Sequence, residues 1–145
     1  MAEKIVVDSS VLIKWIKTRS EELVPEAKEL LRQVESRPLE VHVPALLLYE
    51  VGNILLVKGR LQVRELDSAL DQLEALPFVI APPAAPLLRR AARLGRALKL
   101  TFYDSSFLAL AVELKCPFVT ADHRLYQRAQ DIAGVRHLSN VGTLA

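Results

Sequence analysis

Two hydrophobic patterns alternate along the chain. Short runs of branched apolar residues suit buried strands, and longer stretches with apolar positions every three or four residues suit amphipathic helices. "KIVVD" predicts a strand over 4–8, with a helix after it to about Lys17. Ser20 has N-cap chemistry, and Glu21 and Glu22 would fill a first turn, which predicts a second helix to about Glu35. "LEVHV" (39–43) is a second strand, stopped by Pro44. Pro44 also suits the first position of the next helix, which carries Glu50 and ends near Gly59. Residues 63–76 are amphipathic, with Leu66, Leu70 and Leu73 on one face. "FVIA" (78–81) is a third strand, and Pro82, Pro83 and Pro86 turn the chain into a basic helix. A helix over 101–115, a fourth strand in "PFVTAD" (117–122), a short helix to about Gln130 and a last strand in "VRHLS" (135–139) complete the series.

Strands separated by helices pair in parallel through right-handed crossovers. The strands are continuous apolar runs, as expected when both faces of a sheet are covered. The predicted architecture is a three-layer α/β/α fold with a short parallel sheet of four to five strands, in one domain over 1–145.

Composition narrows the picture. The 145 residues are 51% apolar and 25% charged, a globular balance. The one cysteine, Cys116, cannot form an internal disulfide, and no Cys/His cluster suggests zinc. A reducing cytoplasm is the expected location. No signal peptide is expected at the N-terminus. The longest apolar run, "VPALLLYEVGNILLV", has 15 residues and contains Glu50 and Asn53, too short and too polar for a membrane span. Net charge is +2 but unevenly spread. Residues 75–103 hold no acid, while Arg89, Arg90, Arg93, Arg96 and Lys99 make that stretch strongly basic. A polyanion site and a plain solvated helix face both fit.

Four of the 17 acids stand in apolar company: Asp8, Glu50, Asp104 and Asp122. Asp8 and Asp122 end strands and could simply cap the helices after them. Thr101 and Asp104 have capping-box spacing. Glu50 lies too far into its helix to serve the macrodipole, so it needs an ion pair, with Lys14 or Arg124 as candidates, or a function. In an open parallel sheet, the strand C-termini and the helix N-termini that follow them line one edge, so all four acids can meet in one cleft. Without a cation they would repel. With Mg²⁺ or Mn²⁺ they form an oxygen ligand set suited to metal-assisted phosphodiester hydrolysis.

An Asp-Ser at the end of the first strand, then "PALLLYEVGNIL", "LTFYDSSFLALA" and "FVTADHRL", resembles PIN-domain ribonucleases, most of all the VapC-type toxins of toxin–antitoxin pairs. The resemblance implies an acidic pocket of Asp8, Glu50, Asp104 and Asp122 holding one or two Mg²⁺ or Mn²⁺ ions, with Asp8 and Asp104 as direct ligands. Glu50 would ligate or orient the attacking water, and Asp122 would complete the pocket. Ser9 or Ser10, Asn53 and Thr120 match supporting positions. The resemblance further implies cleavage of RNA (tRNA, rRNA or mRNA), a homodimer, and a VapB-type antitoxin that covers the pocket. Arg89, Arg93 and Arg96 form a stripe suited to RNA phosphates.

Other residues carry weaker signals. Tyr49 and Tyr103 each precede a pocket acid and could stack on a base, though core packing is the commoner use of such rings. His123 could touch substrate. His42 and Trp15 read as structural, and no histidine reads as a general base. Two rivals stay open: an aspartyl-phosphate phosphotransfer domain, which leaves Glu50 without a role, and a non-catalytic domain that binds RNA or protein.

Overall fold

In the computed structural model, residues 2–142 and 144 are described. The first strand, β1 (Glu3–Val7), is the middle of a five-stranded, all-parallel sheet. It pairs on one side with β2 (Leu39–Pro44), next to β3 (Phe78–Ala81), and on the other with β4 (Phe118–Thr120), next to β5 (Val135–His137). The order is β3-β2-β1-β4-β5. Ile5, Val6 and Val7 have no exposed surface, because neighbours cover both faces and both edges of β1.

The helices form two layers. α1 (Ser9–Ile16), α2 (Val24–Ser36), α3 (Leu46–Val57) and α4 (Val63–Ala75) pack on one another, and α5 (Ala85–Leu98) packs on α6 (Phe102–Leu114), which lies against β1, β2 and β4. α7 (His123–Ala129) packs on β4 and β5. The fold is the predicted three-layer α/β/α arrangement. α6 is apolar all round and buried from Ser105 to Ala111, as a helix without a polar face must be. Its buried hydroxyls bond one turn back, Ser105 Oγ to Phe102 O (3.1 Å) and Ser106 Oγ to Tyr103 O (2.6 Å). Gly95 lets α5 approach α6, since a Cβ there would stand 3.1 Å from Ser105 Oγ and 3.2 Å from Leu100 O.

Three boundary expectations need correction. Ser20 caps nothing: it sits in a loop with φ 62°, and α2 begins at Val24, after a left-handed Leu23 (φ 56°) and with Pro25 in its first turn. Glu21 is drawn away instead, accepting from the buried Lys14 Nζ at 3.0 Å and standing 3.9 Å from Lys17 Nζ. Pro44 is not the first helical residue. It ends β2, in register with Ala81, and α3 starts at Leu46. The edge strand β3 is not covered on both faces, because Val79 and Ile80 are exposed. Among the described residues, no helix is long and apolar enough to cross a membrane.

Candidate active site

The strand order reverses between β1 and β4. The chain leaves β1 toward β2 and β3, then returns to β4 on the far side. A crevice opens at the C-terminal ends of the strands at such a reversal, where ligands bind in open parallel sheets. Asp8 directly follows β1, and Asp122 follows β4 by two residues.

Asp8 is the most constrained acid, with 5% of its surface exposed. Its Oδ1 accepts from Ser10 Oγ (2.5 Å) and from the Val11 N–H (3.3 Å), and its Oδ2 accepts from Thr120 Oγ1 (2.5 Å). Thr120 Oγ1 also accepts the Asp122 N–H (3.0 Å), and Ser10 Oγ accepts the Ala121 N–H (2.9 Å). Two hydroxyls thus tie β1, α1 and the end of β4 into one network around a single carboxylate. Burial outweighs these bonds and pushes Asp8 up to about 6, with the Asp122 charge adding to the rise.

The other acids are linked through charge. Ser9 Oγ donates to Glu50 Oε1 (3.3 Å). Burial raises the Glu50 pKa, the Ser9 bond offsets part of the rise, and the charge of Asp104 adds to it. Burial also raises Asp104, with repulsion from Asp122 next, while the bond at Thr101 and the Arg124 guanidinium oppose the rise. Glu50 therefore feels the charge of Asp104, and both Asp104 and Asp8 feel that of Asp122. The ion-pair explanation of Glu50 fails, because Lys14 is held by Glu21 and Arg124 acts on Asp104.

The capping expectations for Asp8, Asp122 and Thr101 hold. Asp8 caps α1 and Asp122 caps α7, accepting the Leu125 N–H at 3.0 Å. Thr101 caps α6 by accepting the Asp104 N–H at 3.0 Å. Each cap fixes a carboxylate at a helix N-terminus on the same sheet edge. Among the described residues, no three His, Cys, Asp or Glu side chains form a ready-made metal-ligand group. The donor set is still chemically suited to Mg²⁺ or Mn²⁺, which bind through one or two carboxylates, keep waters and take the remaining ligands from a phosphate. The carboxylates whose pKa values are raised gain most from a nearby cation.

The remaining predicted residues fall in different places. Asn53 is exposed on α3 and makes no hydrogen bond to the four acids. Arg89, Arg93 and Arg96 are exposed along α5. Tyr49 and Tyr103 are 79% and 59% exposed, so neither packs in the core. Trp15 is structural, donating Nε1–H to Ala27 O (2.7 Å), and His42 is buried in β2. Burial pushes the Cys116 thiol up to about 11, which leaves it a poor nucleophile. Arg124, offered as a partner for Glu50, lies in the first turn of α7 and its charge acts on Asp104 instead. Sequence reading missed one feature. His137, on β5, meets His123 and Tyr126 edge-to-face, with ring centroids 6.1 Å and 5.5 Å apart. Only the pairing of β5 with β4 brings these rings together, and no spacing in the chain signals it.

Comparison with known proteins bears on the fold and the family. No curated protein matches the chain. Among solved structures, one from Pyrobaculum aerophilum superposes with a TM-score of 0.69 at 22% identity, over 96% of this chain and 92% of the other. A toxin–antitoxin complex from Klebsiella pneumoniae gives 0.66 at 22% identity, over 92% and 97%. The Mycobacterium tuberculosis toxin VapC20, described as cleaving the sarcin–ricin loop, gives 0.64 at 20% identity, over 85% and 93%. These likenesses concern the fold. The family model of the PIN domain matches residues 5–131, a span that contains all four acids, and the chain belongs to the PIN-domain family.

Proposed function

We propose that this protein is a metal-dependent endoribonuclease of the cytoplasm and the toxin of a VapBC-type toxin–antitoxin pair. The observation that carries the reading is the set of four acids at the β1/β4 edge, mutually repelling and partly desolvated. Asp8 and Asp104 would hold Mg²⁺ or Mn²⁺, with Glu50 and Asp122 completing the pocket. The metal, when bound, polarises the phosphoryl group and makes hydroxide available near neutral pH. Ser10 and Thr120 hold Asp8 in a single orientation. Glu50, steadied by Ser9, orients the attacking water and takes its proton, a task for which a raised pKa is suited. Arg124 is placed to meet the charge that builds on the phosphate. Tyr49 and Tyr103, exposed and next in the chain to Glu50 and Asp104, are suited to stacking on unpaired bases.

The partner is an antitoxin that covers the acids, and the working form is a homodimer. Support for the partner comes from structural neighbours that are toxin–antitoxin complexes. Support for the dimer comes from the exposed Leu56, Val57 and Val63. The aspartyl-phosphate reading leaves Glu50, and its bond from Ser9, without a role.

The test is cleavage of a mixed RNA pool with Mn²⁺, comparing wild type with Asp104→Asn. Wild type should cut and the variant should lose about 10² or more in rate. Equal cleavage by both, or none by wild type on any pool, would overturn the reading and favour a binding domain.

A further inference from the structure

A cavity of about 980 Å³ lies away from the acids, between the loop after α1 and the turn joining α3 to α4. Five cations line it: Lys17 and Arg19 from the first loop, Lys58 and Arg60 from the turn, and Arg64 from the first turn of α4. A single acid, Glu65, shares the lining, and its carboxylate is turned to the Gln62 N–H (3.4 Å) in a capping box. Lys17 stands near Glu21. No ion pair joins Arg19, Lys58, Arg60 or Arg64 to an acid among the described residues. Like charges converging in a concave site without partners cost free energy, and bound anions relieve that cost. Two lining residues, Ser20 (φ 62°) and Arg60 (φ 49°), also hold left-handed backbone conformations. Non-glycine residues keep such conformations only where the surrounding structure enforces them, and they gather at functional sites.

We propose that this groove is a second binding site, which takes the phosphate backbone of an RNA strand a few nucleotides from the bond to be cut. The proposal rests on the ribonuclease reading above. Continuity with the cleft supports it. α1 runs from Ser9, bonded to Glu50, to Ile16, just before Lys17, and α3 continues from Glu50 to Val57, just before Lys58. Eight residues of helix span about 12 Å. At about 3.4 Å per nucleotide, the rise of a fully stacked strand, that distance covers three or four nucleotides, and fewer of an extended one. The chemistry favours nucleic acid over an acidic peptide. Only Ile16, Leu61 and Ala69 offer branched or methyl apolar surface in the lining, too little to seat the apolar anchors of a docked helix. Arginines, by contrast, pair with phosphates through two parallel hydrogen bonds.

The experiment measures binding of an unstructured 12-nucleotide RNA by fluorescence anisotropy, with chelator present so that nothing is cut, across a salt series. Lys58→Gln/Arg64→Gln is compared with wild type, and Arg19→Gln provides a second probe from the opposite wall should the double variant melt early. Removing two phosphate contacts should lower the slope of log K against log salt by about 1.4 and weaken binding at least about tenfold at low salt. The loss should appear only for RNAs longer than about four nucleotides. Unchanged slope and affinity in both variants overturn the groove as an RNA site, while cleavage by wild type with Mn²⁺ leaves the nuclease reading standing. Wild type that neither binds nor cuts RNA removes both. Unchanged RNA binding together with lost binding of the antitoxin would assign the groove to protein instead, and would equally overturn the proposal.

Discussion

Replacing Asp8 with Asn should stabilise the metal-free protein above pH 6 and do little near pH 4. The folded-state pKa of Asp8 is about 6, against an ordinary 3.8. Between those values the folded state binds more protons than the unfolded state, so stability falls as pH rises through that window. Above pH 6 both states are ionised, and the cost is complete and constant. At 1.36 kcal/mol per pH unit, the gap corresponds to about 3 kcal/mol, most of it falling between pH 4 and pH 7. Solvent screening does not erase it, because the carboxylate is 5% exposed. Asn removes the charge but presents an NH₂ to one of the two donating hydroxyls, a mismatch worth about 1 kcal/mol that does not change with pH. The informative quantity is therefore the difference between variant and wild type as a function of pH. Urea unfolding at pH 4, 5, 6 and 7 with chelator present should show the difference growing by about 2 kcal/mol in favour of the variant. Other titrating acids are common to both proteins and largely cancel. A flat difference, or one that grows in favour of wild type, would mean that the hydroxyls and nearby dipoles hold the Asp8 charge comfortably. The carboxylate would then be neither strained nor in need of a cation.

Three further outcomes follow from the packing. Thr120→Val keeps the shape but strips a donor from Asp8 Oδ2 and an acceptor from the Asp122 N–H. It should cost about 2–4 kcal/mol at pH 7.5 and clearly less at pH 4, where Asp8 is neutral; the same cost at both pH values in urea unfolding would refute the network. Gly95→Val should lower the melting temperature by several degrees, for a cost above about 2 kcal/mol, because the Cβ has Ser105 and the Leu100 carbonyl within 3.2 Å. An unchanged thermal scan would mean that α5 can move freely over α6. For the buried pair, Lys14→Met should be milder than Glu21→Ala, since the latter leaves an ammonium inside the fold without its partner. Denaturant titrations ranking them the other way would show that the pair contributes net attraction.

Much of the fold could be read along the chain, because the signals are local. "IVV" and "FVT" are branched runs bounded by polar residues, and both became fully buried strands. Thr101 and Asp122 cap helices where their side-chain chemistry indicated. The four acids stood out because a carboxylate in apolar company is costly wherever the chain places it. Local signals failed where a distant partner outbid them. Ser20 with Glu21 looked like a helix start, but Lys14 is buried 7 residues earlier and claims the Glu21 carboxylate, so α2 waits for Pro25. Exposure of Tyr49 and Tyr103 was equally hidden, since nothing in the neighbouring residues says what lies opposite a ring.

The sequence by itself determined that strands alternate with helices, and that acids follow two strands and sit early in two helices. The strand order was decided only in three dimensions. Placing β4 beside β1 rather than beside β3 brings Thr120 to Asp8 across 112 positions of chain. Strand pairing is a non-local choice, driven by how the apolar faces of separate elements cover one another. Periodicity describes each face but not its partner, so the acids could be found in the sequence, and Ser9, Ser10 and Thr120 came with the resemblance, while which hydroxyl holds which acid, and the basic groove, needed the folded chain.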